Sequence, residues 1–200
     1  MKRLALGLST SLLLLCAGAA QAAVITYSAT LSGLNEDPQN NSPATGRTTV
    51  MIDDVTNMMT VNAIFSGLAG ITTASHIHCC TDVPGVSTIG VATSLPTFPA
   101  FPLGVTAGNY TETFDLLNAA TYSPAFITRS GGNVDGARTA LLAGMAAGRS
   151  YLNIHTSAFP PGEIRGFLVA EVPEPASIAL FGLGAVGLAA LGRRRAVATA

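Results

Sequence analysis

Arg47-Thr48-Thr49-Val50-Met51-Ile52, then Asp53-Asp54-Val55-Thr56-Asn57, then Met58-Met59-Thr60-Val61-Asn62-Ala63-Ile64-Phe65 decide the fold class. The outer segments are rich in β-branched residues with partial apolar/polar alternation, the mark of a half-buried strand. The middle segment is a short polar connection of turn formers, so together they read as an antiparallel hairpin. Ile25 to Leu31, Ala74 to Cys80, Tyr110 to Leu116, Tyr151 to Thr156 and Glu163 to Ala170 repeat the pattern between Gly and Pro clusters. Short strands at this spacing predict a mainly β fold, an antiparallel Greek-key-like sandwich or barrel. A single short helix is expected over Val134 to Ala147, with Asp135 as N-cap and Gly148 closing it. Val83 to Gly108 is too rich in Pro and Gly for regular structure, yet Phe98 and Phe101 make it too apolar for a solvated linker. It predicts an ordered loop packed on the strands.

The two ends read as processing segments. Lys2 and Arg3 precede an apolar run from Leu4 to Gly18, and Ala20-Gln21-Ala22 has the small-x-small pattern of a signal peptidase site. Residues 1–22 are therefore expected to be a signal peptide, cut between Ala22 and Ala23. The bulky Leu15 before Cys16 argues against a lipoprotein. At the other end, Pro173-Glu174-Pro175 is followed by an apolar stretch from Ile178 to Gly192 and then by Arg193-Arg194-Arg195. Taken from Ala176 to Gly192 the segment is 17 residues, the short limit for spanning a bilayer, and the arginines should stay cytoplasmic. Residues 172–200 resemble the PEP-CTERM sorting signal. The resemblance implies exosortase recognition, cleavage near Pro-Glu-Pro, inner-membrane anchoring through the helix before cleavage, and delivery to the surface or extracellular matrix of a Gram-negative bacterium. Exopolysaccharide or other matrix components are then the expected neighbours.

Between Ala23 and Val172 the chain carries ten Asp and Glu against five Arg and no Lys. The basic patch that a nucleic-acid partner requires is absent from this composition. After signal removal the remaining cysteines are the adjacent Cys79 and Cys80, which cannot join distant parts of the chain. They read as a vicinal disulfide or two free thiols before they read as ligands. No Gly-x-Ser-x-Gly elbow supports hydrolase chemistry, and no Gly-x-Gly-x-x-Gly loop follows a strand to cradle phosphate.

All three histidines of the chain, His76, His78 and His155, fall in expected strands. Successive side chains of a strand point to opposite faces, so His76, His78 and Cys80 share one side while Ile77 and Cys79 take the other. Three imidazoles, with Cys80 as a further donor, suit copper or zinc. If His155 joins the pair from its own strand, binding should be better near pH 7 than at pH 5, because protons compete for imidazole. Arg165 reads as a structural ion-pair partner, with its counter-charge expected on the adjoining strand.

Around these residues the chain resembles the CHRD domain. The resemblance is carried by Ala74-Ser75-His76-Ile77-His78, Tyr151-Leu152-Asn153-Ile154-His155-Thr156 and Pro161-Gly162-Glu163-Ile164-Arg165-Gly166, and by Tyr27 to Gly33 and Gly46-Arg47. It implies a β domain over 23–171 whose architecture is similar to that of copper/zinc superoxide dismutases. Where many CHRD domains have Gly after His-x-His, this chain has Cys79-Cys80. The leading expectation is a non-enzymatic binding or structural module outside the cell, with a copper- or zinc-binding protein as the alternative. A dismutase-type redox enzyme is disfavoured, since a dinuclear copper/zinc centre needs more imidazoles than three.

Overall fold

The computed structural model describes residues 24–171. Strands β1 (Ile25–Ser32), β2 (Thr45–Asp53), β3 (Met58–Ser66), β4 (Thr72–Cys79) and β5 (Gly108–Asp115) precede two helices, α1 (Pro124–Arg129) and α2 (Val134–Ala146). Strands β6 (Ser150–Thr156), β7 (Ile164–Phe167) and β8 (Val169–Ala170) follow. The strands form one curled antiparallel sheet in the order β4-β6-β7-β1-β2-β3-β5, with β8 beside β1: mainly β and antiparallel as expected, and of the sandwich or barrel left open, a half-barrel. The strands pair edge to edge without a break, so the two faces of the core come from the curl of a single sheet.

The decisive hairpin forms as read, with Val50 opposite Val61 and Ile52 opposite Met59. Its turn is held by Asp53, whose Oδ1 accepts from the amides of Val55 and Thr56, and Asn57 takes a positive φ of 58°. Asn is among the residues that tolerate that region. Leu31, Val50, Ile52, Met59, Val61, Phe65, Ile77, Phe98, Phe114, Leu152, Ile154 and Ile164 fill the concave side. Each fully buried aliphatic side chain contributes about 1.5–3 kcal/mol, and the adjacent cysteine pair closes no long loop. Cohesion therefore rests on this core.

The loop from Val83 to Gly108 is ordered and packed, with Phe98 and Phe101 buried. It supplies the hydrogen bonds that the edge strand β4 would lack: Ala92 donates to Ile77, Phe98 to Ser75 and Gly104 to Thr72. That satisfies an edge otherwise open to pairing.

Three local expectations are corrected. Helix α1 was not foreseen. Ser123 caps it by accepting from the Phe126 amide, and Pro124 starts it, but six residues are too few for a helical period to show. Helix α2 is capped by Asn133, whose side chain accepts from Gly136, and Asp135 sits in the first turn where the helix dipole favours an acid. The expected strand Glu163 to Ala170 is split into β7 and β8, because Leu168 turns into the core and its amide donates to Ser150. The signal peptide with its Ala22–Ala23 junction, and the tail with Pro173, Glu174, Pro175, Arg193, Arg194 and Arg195, lie outside the described residues. Among the described residues, no helix is long and apolar enough to cross a membrane.

Candidate metal centre

Strands β4, β6 and β7 are buried on both faces. Their concave face gives Ile77, Leu152, Ile154 and Ile164 to the core. On the convex face, register sets His78 beside Tyr151, His76 beside Asn153 and Ala74 beside His155, with Arg165 beside Asn153 and Phe167 beside Tyr151. The loop containing Glu36 and the segment from Ile89 to Pro96 lie over this polar patch, and the Pro160 turn closes its end.

His76 and His78 share one face of β4 as the strand alternation predicts, and His155 joins them from β6. One nitrogen from each lies within 4.8 Å of the others, and the ring centroids stand 5.3–5.9 Å apart. The remaining nitrogen of each ring meets a backbone carbonyl: His76 Nε2 meets Pro96 O at 2.7 Å, His78 Nδ1 meets Ile89 O at 2.7 Å, and His155 Nδ1 meets Pro160 O at 3.0 Å. A carbonyl only accepts, so each of those nitrogens carries the proton. His76 Nδ1, His78 Nε2 and His155 Nε2 are left with their lone pairs. These three are sealed from solvent and have no hydrogen-bond partner among the described residues. Carbonyls that fix tautomer and ring direction are the usual outer support of metal-bound imidazoles.

Burial pushes the His76 and His78 imidazoles down to about 4 and also lowers His155, with the carbonyl hydrogen bonds acting in the opposite direction. The three rings are therefore neutral donors over most of the pH range. This moves the onset of proton competition, expected between pH 7 and pH 5 for unperturbed histidine, to more acid conditions.

Cys80 does not join them. Its sulfur is bonded to Cys79, and both sulfurs lie under α2 against the Ala140 carbonyl. A disulfide sulfur has no thiolate to offer a metal, and β4 ends at Cys79, so the alternation that would aim Cys80 along the histidine face stops one residue short.

Arg165 is an ion-pair partner as read, but the partner is not on an adjoining strand. It is Glu36, in the loop after β1, with Nε 3.7 Å from Oε2. The guanidinium also donates to Asn35 O and Ser87 O and stands 4.7 Å over the Tyr151 ring, which stacks on His78 at 4.8 Å. A cavity of about 430 Å³ borders this chain of contacts, lined in part by Glu36, Tyr151, Asn153 and His78. Glu163 is a hub of the fold: its carboxylate accepts from Ser42, Thr156 and the amides of Ala69 and Gly70. Sequence reasoning missed Glu36. An acid in a Gly/Asn/Pro loop looks solvated, and only the tertiary fold reveals that it is sealed.

Two family models match the chain: the CHRD domain over residues 27–168 and the PEP-CTERM protein-sorting motif over residues 171–195. No curated protein and no solved structure matches it.

Proposed function

This chain belongs to the CHRD-domain family and carries an exosortase sorting motif, which makes it an exported, surface-associated protein of the Gram-negative type; from that premise we propose that the domain is a metal-binding module that holds one copper or zinc ion through His76 Nδ1, His78 Nε2 and His155 Nε2. One observation carries the reading. Three clustered imidazoles each carry one sealed nitrogen with no hydrogen-bond partner among the described residues, while each ring's second nitrogen is tied to a carbonyl. Leaving a buried acceptor unmade costs about 1–3 kcal/mol, so three together are a persistent expense unless a ligand satisfies them. A bound ion would satisfy all three at once. The signal peptide, sorting tail and exosortase would then place the site outside the cytoplasm, among the polysaccharide and protein components of the surface.

A purely structural module is the competing reading, and metal binding separates the two. Binding to the folded state adds RT ln(1 + [L]/Kd), about 2.7 kcal/mol at a hundredfold excess over Kd. The melting temperature of the exported protein should rise with copper or zinc at pH 7, and that of His155→Ala should not. Equal shifts in the two proteins, or none in either, would leave the structural module standing.

A further inference from the structure

We infer that the three-histidine site selects the cuprous ion over zinc and over other dications. The inference rests on the metal-binding reading above and adds the identity of the ion. Its basis is the charge and number of donors that the fold offers. All three donors are neutral imidazoles, their outer partners are neutral backbone carbonyls, and the candidate thiolate is removed by the Cys79–Cys80 disulfide. Among the described residues, no carboxylate stands in the cluster. Arg165, stacked on the far side of Tyr151 from His78, is itself paired with Glu36, so that pair brings no net negative charge to the cluster.

An ion entering this site gives up hydration without gaining an anionic partner. The desolvation cost of an ion grows with the square of its charge, so a dication pays about four times what a monocation of the same size does. Coordination number points the same way. Zinc held by three protein ligands keeps a fourth, usually water, in a tetrahedral shell. Here the three free nitrogens are closed to solvent even though a cavity reaches the edge of His78. A closed-shell monovalent copper ion is content with three ligands in a plane and needs no fourth. Divalent copper prefers a tetragonal set that three strand-borne imidazoles do not complete.

The test uses the full exported chain, without oxygen, at pH 7. Cuprous ion is titrated with ascorbate present against a chromophoric cuprous chelator, and zinc against a fluorescent zinc indicator, for the wild type and for His155→Ala. The expected result is a cuprous Kd at least about a thousandfold below the zinc Kd, lost in His155→Ala, with an X-ray absorption edge of three-coordinate cuprous copper. Zinc binding as tight as or tighter than cuprous binding, still abolished by His155→Ala, overturns the selectivity while leaving the metal site in place. Binding of neither ion overturns the site itself, and the selectivity with it.

Discussion

Arg165 Nε lies 3.7 Å from Glu36 Oε2, and both side chains are almost sealed from solvent. The pair ties the loop after β1 to β7, and the same guanidinium reaches Ser87 in the loop that covers the histidines. Removing one partner of a buried pair strands the other, which commonly costs about 3–5 kcal/mol. Glu36 can relieve that strain by taking a proton. Arg165→Gln should therefore lose about 3–5 kcal/mol of unfolding free energy at pH 8 and clearly less at pH 5, as read by urea denaturation. Equal losses at the two pH values would show that the stranded carboxylate is not the cause.

Burial raises Glu36 to about 7, against the opposing pull of Arg165 and of a hydrogen bond from Asn153. A carboxyl raised in the folded state gives stability that is fully present below its unfolded value, near 4.5, and is lost as pH rises through about 7. With partial solvent relaxation this is about 2–3 kcal/mol between those limits. Glu36→Gln cannot ionise, so its stability relative to wild type should climb by that amount from pH 4.5 to pH 7.5. Parallel curves for the two proteins would place the carboxyl in solvent.

Gly144 of α2 passes directly over the cysteine pair, and a Cβ there would collide with the Sγ atoms of both Cys79 and Cys80. Gly144→Ala should therefore destabilise by about 1–3 kcal/mol, although alanine is the better helix former. Placing Gly144→Ala in a Cys79→Ala/Cys80→Ala background should recover much of the loss. A double-mutant cycle with no interaction term would show that the helix is not pressed on the disulfide.

These relationships differ in how far the chain announces them. The period-2 alternation of His76, Ile77 and His78 fixed which residues face the core, and the hairpin at Asp53 to Asn57 announced itself by turn chemistry. Both are local. The convergence of His155 with the other two depends on β6 pairing with β4 across some seventy intervening residues, so periodicity did not reach it and the sequence left it as a condition of the metal reading. What no local pattern carries is the closure of the convex face. The proton acceptors Pro96, Ile89 and Pro160 are backbone atoms, indifferent to side-chain identity, and Glu36 sits in a loop whose composition looks solvated. The single-sheet architecture was likewise hidden, since strands of a curled sheet and of a sandwich alternate alike.

The same closure sets the acid limit of the fold. His76 and His78 are lowered to about 4 by burial, below the unfolded value of 6.5. A histidine lowered in the folded state gives stability that is present above 6.5 and is lost as pH falls towards about 4, because the unfolded chain takes up protons that the folded chain refuses. Each such proton steepens the profile by about 1.4 kcal/mol per pH unit. Glu36 runs in the opposite sense over much of this window, so the experiment belongs in the Glu36→Gln background. Between pH 6.5 and pH 5 that protein should lose about 2–3 kcal/mol per pH unit, and His76→Asn and His78→Asn should each flatten the slope by about one proton's worth. An ion held by the same rings should resist the loss, since protons must then displace metal before they can charge the site. A slope of less than one proton in the metal-free protein would mean that the rings titrate as they do in water, and the sealed, neutral donor set would be wrong.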